Sequence, residues 1–213
     1  MRPTAGSSSR CSSGVALPRL VSCLLALLLA AAPHRAAAQW TLSADVTAAR
    51  FSGGSSEESG GRSFRPYRPT ITGLGLEKSG RSIGVGLHGY YSSASLALEG
   101  ADAVVAVKGA LDLYGVAMEV TGRIATLGTA SRLMLYAGPL VEVWSLAGET
   151  SHVRAGFAAA IGLQVPIGQR WSAVMRAGAA VSGSPFAAED LDAGFVPRPL
   201  WRRELSGRLR YRL

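Results

Sequence analysis

The sequence predicts an all-β fold, an eight-stranded antiparallel up-and-down β-barrel. Two observations lead to this prediction. Apolar and polar residues alternate with a period of two in eight separate stretches between residues 40 and 213, as in strands whose two faces meet different surroundings. The connections between these stretches alternate between short and long. Consecutive strands are therefore expected to run up and down, with the two classes of connection at opposite ends.

The first 38 residues are predicted to be a secretory signal peptide that lies outside the fold. Three arginines precede the apolar run LVSCLLALLLAAA at 20–32, and an Ala-x-Ala site ends at Ala38. This run is shorter than the roughly 20 residues that a membrane-spanning helix needs. The tetrapeptide ending at Cys23 resembles a lipoprotein processing box, but it opens the apolar run instead of closing it. We therefore expect a signal peptide at 1–38, cleavage before Gln39 and a barrel domain at 39–213.

Removing this segment changes the charge of the chain. The whole sequence has 22 Lys plus Arg against 14 Asp plus Glu, and four of the arginines precede residue 39. The expected mature chain keeps 18 basic against 14 acidic groups, a net charge of about +4, so the charge does not favour a nucleic-acid partner. Both cysteines, Cys11 and Cys23, also lie in the segment, which excludes disulfides and cysteine-based metal sites or nucleophiles from the mature chain.

The eight predicted strands follow one another without an intervening helical pattern. They cover 40–48, 69–78, 83–92, 109–124, 132–145, 153–166, 171–182 and 201–213. Glycines recur on the same face as the polar residues, which suits a narrow barrel in which the backbone must make room for large neighbours. No run of 18 apolar residues occurs in this part of the chain, so a helical membrane protein is not expected.

The short connections are SGRS, ATLGTAS and GQ, and the long ones cover 51–68, 93–108, LAGETSH and 183–200. This segregation is typical of bacterial outer-membrane barrels, which have short periplasmic turns and longer external loops. With this pattern the chain resembles the small eight-stranded outer-membrane β-barrel proteins, the superfamily of the outer-membrane protein A and X barrels. The resemblance implies a monomeric transmembrane β-barrel with no cofactor, delivered to the barrel-assembly machinery, with both termini in the periplasm.

Charged residues share the glycine-rich face that should line the lumen. An eight-stranded barrel is just wide enough for its side chains to fill it, so we expect these residues to pair with one another and leave no water-filled pore. A proton or ion relay is the alternative for the same residues. The predicted lumen network consists of Asp45, Glu77, Glu119, Arg123, Glu142, Arg154, Arg176, Glu204 and Arg208.

No catalytic, cofactor or metal site is predicted. His88 lies on the inward face without a matched serine and carboxylate. Ser151 and His152, with Glu149 nearby, superficially resemble the catalytic residues of lipid-modifying barrels, but neighbours in a loop need not converge. The glycine pairs of GLGLEK and GVGLHG lie inside strands with no helix after them, which excludes a dinucleotide loop.

Surface residues suggest contacts with the membrane. Arg62, Arg65 and Arg68, interleaved with Phe64 and Tyr67, are expected to keep their loop solvated, and contacts with lipopolysaccharide phosphates are the alternative for them. Aromatic girdles are expected where Trp40, Trp171, Trp201 and Tyr211 lie near strand ends, and Trp144 is expected to join the opposite end.

The sequence thus predicts a non-enzymatic outer-membrane protein with a structural or surface-interaction role through its external loops. Its expected partners are outer-membrane lipid and lipopolysaccharide. Two alternatives stay open at this point: a lipid A deacylase or acyltransferase, which would need His88 or His152, and a soluble periplasmic ligand-binding barrel, which would need an apolar interior.

Overall fold

The computed structural model describes residues 39–58, 61–99, 104–128, 130–146 and 151–213. In these residues the chain forms strands and one short 3-10 helix, Ala188–Asp190. The strands are β1 (Gln39–Glu57), β2 (Ser63–Tyr67), β3 (Thr70–Ser79), β4 (Ile83–Glu99), β5 (Val104–Leu127), β6 (Ser131–Leu146), β7 (Ser151–Pro166), β8 (Trp171–Ser182) and β9 (Phe195–Arg212). The predicted signal peptide and Glu149 lie outside the described residues.

Eight of these strands close into an antiparallel barrel. β1 pairs with β3, each later strand pairs with its successor, and β9 returns to pair with β1. The closing ladder runs from Thr41↔Arg212 to Glu57↔Phe195. Every strand thus has a neighbour on both sides along most of its length, and the predicted eight-stranded antiparallel barrel is confirmed.

The connections lie at two ends of the barrel, as predicted. The β3–β4, β5–β6 and β7–β8 connections are short and define what we call the turn end, where β1 also begins and β9 also ends. The other connections define the loop end, and they include the stretch between β8 and β9 that carries the 3-10 helix.

The strands extend further towards the loop end than the sequence predicts. β1 continues to Glu57 and β4 to Glu99, through parts of 51–68 and 93–108 that were expected to be loops. β2 fills the wall between these two extensions, with the pairs Ser55↔Phe64 and Tyr67↔Ser95. β2 and β3 together act as one wall strand that is interrupted at Arg68, which has a φ of 38°. Pairing with long neighbouring strands here outweighs the local preference of Gly and Ser for loops.

The outer surface of the barrel is an apolar band. Exposed large apolar side chains from every wall strand form it, among them Leu42, Val46, Leu74, Leu87, Val116, Leu135, Phe157, Ile161, Met175, Leu205 and Leu209. Trp40, Trp171 and Tyr211 lie at its turn end, and Trp201, Tyr91 and Tyr114 lie towards its loop end. Trp201 and Tyr211 are ten residues apart on β9. At about 3.3 Å per residue and a strand tilt of about 40°, they are about 25 Å apart along the barrel axis, the height of a bilayer-facing band.

The loop-end half of the interior is an apolar core, which the sequence analysis did not foresee. Leu111, Leu113, Leu200 and Trp144 are fully buried there, and Phe51 meets the Trp144 ring edge-on at 5.7 Å. The prediction that Trp144 belongs to an outer aromatic girdle was therefore wrong. Trp144 is two residues from Glu142 on β6, and the period of a strand directs both side chains into the barrel.

Among the described residues, no helix is long and apolar enough to cross a membrane.

Candidate functional site: the charged lumen and the loop-end surface

Below the apolar core, the lumen contains charged side chains that we describe as three layers. The acidic residues come mainly from β1, β3, β5 and β6, and the arginines come from β8 and β9. Apart from Arg202–Glu204, which lies within β9, these ion pairs join distant parts of the chain through the interior. Because water is largely excluded there, these charges need partners to offset the loss of hydration.

The first layer, nearest the loop end, is centred on Glu142, which is 1% exposed. Its carboxylate accepts hydrogen bonds from Tyr90 Oη at 3.0 Å, Trp144 Nε1 at 3.3 Å and Ser182 Oγ at 2.8 Å. Arg202 Nη1 donates to it at 2.5 Å. Arg202 Nε also donates to Glu204 at 3.0 Å, so one buried guanidinium bridges two carboxylates.

The second layer lies at mid-height and joins five ionisable side chains. Asp45 lies 2.6 Å from His88 Nε2 and 3.2 Å from Arg208 Nε. Glu119 accepts a hydrogen bond at 2.8 Å from each of Arg208 Nη1 and Arg176 Nη2. The Arg176 guanidinium also lies over the buried ring of Tyr136, 4.4 Å from its centroid, a cation–π contact that adds to the ion pairs.

The third layer faces the turn end. Glu77 accepts from Ser79 Oγ at 2.5 Å and Thr121 Oγ1 at 3.3 Å, and it pairs with Arg210 Nη2 at 2.9 Å. Arg210 Nη1 donates to Gln164 at 3.3 Å, and Gln164 donates to Ser172 at 3.0 Å. This layer is a mixed network of ionic and neutral hydrogen bonds, as expected where the barrel opens towards water.

Inward glycines provide the space for two of the ring side chains. A Cβ atom on Gly115 would overlap the ring of Tyr90, and one on Gly73 would overlap the imidazole of His88. Both glycines lie in strands beside the residues they accommodate, as the predicted role of glycine on the lumen face requires.

The structure brings together seven of the nine predicted lumen residues and separates two. Asp45, Glu77, Glu119, Glu142, Arg176, Glu204 and Arg208 make ion pairs in the lumen. Arg123 is exposed at the turn end, beyond the third layer, and within the described residues it makes no ion pair. Arg154 points towards the loop end and donates to the backbone carbonyls of Ser184 and Phe186. It therefore stabilises the connection between β8 and β9 and does not join the network.

Sequence reasoning missed three members of the network. His88 was predicted to be an inward-facing residue but was not assigned to the charge network, and Arg202 and Arg210 were not included. The signal for the two arginines was present, because both share the parity of Glu204 and Arg208 on β9 and must point into the barrel.

One small cavity lies within the charged lumen. A cavity of about 30 Å³ lies between the first two layers, bordered by His88, Tyr90, Arg176, Arg202 and Arg208. Arg176 Nε and Arg208 Nη2 are buried without a protein hydrogen-bond partner. A space of this size accommodates one or two water molecules, and these polar atoms would bind them. It is too small for an organic substrate.

In the part of the chain that the structure describes, neither His88 nor His152 forms a hydrogen bond with a serine side chain. Ser151 and His152 are consecutive strand residues, so their side chains point to opposite faces: Ser151 is exposed and His152 is partly buried. His152 Nε2 lies 2.7 Å from Asp190 of the 3-10 helix. His88 contacts Asp45 and stacks on Tyr90. Within the described residues, no group of three His, Cys, Asp or Glu side chains is arranged to hold a metal ion.

The three arginines considered for lipopolysaccharide contact differ in their surroundings. Arg62 pairs with Glu57 at 3.0 Å, and this hydrogen bond, together with the Coulomb attraction, raises the pKa of Arg62 above its ordinary value. Arg65 pairs with Glu99 at 2.7 Å and also donates to the Phe51 carbonyl. Arg68 is exposed and lies over the ring of Tyr67, 5.2 Å from its centroid.

Comparison with solved structures identifies the fold. The crystal structure of Neisserial surface protein A matches with a TM-score of 0.55 and 12% sequence identity, and the match covers 82% of this chain and 97% of that one. The outer membrane protein Ail of Yersinia pestis, in a phospholipid bilayer nanodisc, matches with a TM-score of 0.41 and 15% identity over 83% of this chain and 99% of that one. The chain has the fold of the small eight-stranded outer-membrane β-barrels.

The fold resemblance that the sequence suggested is thereby confirmed, on the strength of the Neisserial structure. No protein-family model matches the chain. No curated protein matches it by sequence.

Proposed function

We propose that the protein is a non-enzymatic barrel of the bacterial outer membrane, with a structural or surface-interaction role carried by its loop end. The observation that carries this proposal is the inverted polarity of the barrel. Large apolar side chains such as Leu74 and Ile83, 71% and 65% exposed, cover the outer surface, whereas Glu142 and Arg202 are buried inside the barrel.

This polarity is the reverse of what a soluble ligand-binding barrel requires. A soluble monomer rarely exposes a contiguous apolar patch larger than a few hundred Å², and here the apolar side chains come from every wall strand. Below the loop-end core, the described part of the lumen contains paired charges around a cavity of about 30 Å³, whereas a soluble ligand-binding barrel needs an apolar interior. A lipid environment stabilises this exterior, and the closed barrel satisfies its backbone hydrogen bonds within the membrane.

The proposal also sets the orientation. β1 begins and β9 ends at the turn end, so both termini of the barrel domain share that end with the short connections. Barrels of this type have short periplasmic turns and longer external loops. The turn end therefore faces the periplasm, and the loop end, with β2 and the 3-10 helix, faces outward. Insertion by the barrel-assembly machinery follows from the same proposal.

The absence of a hydrolytic arrangement at His88 and His152 supports a non-enzymatic role. A lipid A deacylase or acyltransferase would change the mass spectrum of lipid A when the protein is expressed. We expect no change, and His88→Ala and His152→Ala variants should give the same spectrum as the wild type. A mass change that disappears in either variant would contradict the non-enzymatic proposal.

Membrane fractionation tests the localisation. The wild-type protein should remain with the outer-membrane fraction after carbonate extraction, and purified protein should fold into phospholipid vesicles. N-terminal sequencing of the exported protein checks cleavage before Gln39. Release of folded protein into the aqueous phase would support the soluble alternative instead.

Lipopolysaccharide is the proposed partner at the outer surface. Of Arg62, Arg65 and Arg68, the first two already have carboxylate partners, which leaves Arg68 as the best placed of the three for a phosphate.

A further inference from the structure

Two arginines lie side by side on the outer surface of the barrel. Arg50 on β1 and Arg203 on β9 are directly opposite in the closing ladder. Both are exposed and share the outward face with Ala48 and Leu205, the next pair towards the turn end. The two guanidinium groups therefore project from neighbouring strands at the same height.

This arrangement is unfavourable for the protein alone. Like charges directly opposite on neighbouring antiparallel strands are destabilising. Within the described residues, neither arginine makes an ion pair or a side-chain hydrogen bond. The described carboxylates at the loop-end tip of β1, Glu57 and Glu58, lie seven and eight residues beyond Arg50. The pair is therefore a concentrated positive charge that a bound anion would stabilise.

A third arginine extends the pair across the next strand. The β1–β3 ladder ends at Ala48↔Thr70, and Ala49 N still donates to Pro69 O at 3.2 Å. The next position along this side is Arg68, which is exposed with its guanidinium over Tyr67. Arg203, Arg50 and Arg68 thus occupy three adjacent positions across β9, β1 and the β2–β3 junction. We call these three residues the arginine row.

The arginine row lies at the loop-end boundary of the apolar band. Leu205 and Ala48 are below it, and the exposed Trp201, opposite Ser52, is immediately above it. This is the level at which aromatic side chains meet lipid headgroups. The β8 neighbour of Arg203 is Ala179, a small side chain that leaves space for a headgroup.

We propose that the arginine row binds the phosphate of a phosphorylated lipid in the outer leaflet, a glycolipid phosphomonoester of the lipid A type. Arg50 and Arg203 bind one phosphate from two neighbouring strands. Each guanidinium donates paired N–H hydrogen bonds to the phosphate oxygens, and Arg68 adds a third positive charge. The acyl chains lie on the apolar band beside Leu205. This inference rests on the proposed function, because it requires the barrel to be in a membrane.

The test uses the full barrel folded in phosphatidylcholine vesicles that contain either lipid A or the same lipid A after enzymatic dephosphorylation. Lipid retained by the protein after detergent extraction is counted by native mass spectrometry. The wild type should retain phosphorylated lipid A preferentially. Arg50→Ala/Arg203→Ala should weaken this retention at least about tenfold, because two charge-assisted contacts are lost. Arg50→Lys/Arg203→Lys should be intermediate, because lysine keeps the charge but not the paired donors.

The matched control is Arg123→Ala/Arg132→Ala, which removes two exposed positive charges at the turn end. Retention by this variant should equal that of the wild type. Equal loss in both double variants, or equal retention of dephosphorylated lipid A by the wild type, would overturn the site. Competition by millimolar inorganic phosphate would also overturn it, because it would show that the site takes free phosphate.

Stability gives an independent readout. In vesicles of phosphatidylcholine alone, Arg50→Ala/Arg203→Ala should unfold at the same urea concentration as the wild type or at a higher one, because the like-charge pair is removed. With lipid A present, the wild type should gain stability and the variant should not. A wild type that inserts but gains nothing contradicts the site alone. A wild type that fails to insert into any vesicle contradicts the proposed function.

Discussion

At the scale of single residues, Glu142 is the buried hydrogen-bond acceptor at the centre of the first lumen layer. Four donors surround it, and one of them, Arg202, is itself buried. Removing one member of such a pair leaves a buried charge with fewer partners, which costs more than the pair contributes.

We predict that Glu142→Leu lowers the free energy of unfolding by about 3 to 5 kcal/mol, measured by urea titration of the protein folded in vesicles. The control is Glu142→Leu/Arg202→Met/Glu204→Gln, which removes all three charges of the first layer and should recover much of this loss. A triple variant as unstable as the single one would show that packing, and not the uncompensated charge, determines the effect.

Gly115 gives a second prediction, because a methyl group there would meet the Tyr90 ring. Gly115→Ala should displace Tyr90 from Glu142 and lower the unfolding free energy by about 1 to 3 kcal/mol. Gly122→Ala is the matched control on the same strand, since no atom lies within 4 Å of the position its Cβ would take. Equal urea midpoints for the two variants would contradict the steric role of Gly115.

Residue-level features were predictable where the period of the strand decides them. Asp45 and Glu119 face the lumen because they alternate with apolar neighbours on regular strands. Alternation shows which face a side chain is on but not how far along the barrel axis it lies. For that reason Arg123 was assigned to the network although it is exposed at the turn end. The direction in which a long side chain extends is equally hidden, as Arg154 shows by reaching the loop backbone.

At the scale of elements, the strands have two parts with different surroundings. One part carries the apolar band, and the other extends past it towards the loop end. Val105 of β5 and Leu205 of β9 have similar exposures, 60% and 55%, but lie in different parts. Leu205 is between the girdle residues Trp201 and Tyr211, whereas Val105 is in the extension of β5 that pairs with the end of β4.

We therefore predict that Leu205→Arg lowers the unfolding free energy in vesicles by about 2 to 4 kcal/mol, as expected for a charge near the bilayer midplane. Val105→Arg should change it by less than about 0.5 kcal/mol, because its side chain remains in water. The measurement is again urea unfolding in vesicles. Similar costs at the two positions would contradict the division of the strands.

The extensions could not be predicted from the sequence for a physical reason. The segment 51–57 contains Gly53 and Gly54, both with positive φ, and serines, which on their own favour turns. It is a strand because β9 and β2 supply hydrogen bonds from either side. The local sequence does not show that these partner strands are present. In the part that carries the apolar band, by contrast, the alternation of apolar and polar residues itself shows that the two faces meet different surroundings.

At the scale of the whole molecule, the lumen is closed by three charged layers and an apolar core. The cavity between the first two layers has a volume of about 30 Å³, room for one or two water molecules. We predict that wild-type protein in planar lipid bilayers shows no steady ionic conductance, with a wide porin in the same bilayer as the positive control. Stable open-channel currents would show that the charged layers rearrange to admit ions.

The pairing of β9 with β1 has a consequence for how the protein folds. Joining Thr41 to Arg212 closes a chain loop of about 170 residues, which costs about 4.5 kcal/mol of chain entropy in addition to constant terms. β9 follows the other described strands along the chain, and it supplies Arg202, Arg208 and Arg210, which pair with Glu142, Glu119 and Glu77 on earlier strands. Until β9 pairs with β1, the wall has two open edges and these three carboxylates lack their β9 partners. Closure of the wall and formation of these ion pairs therefore occur together.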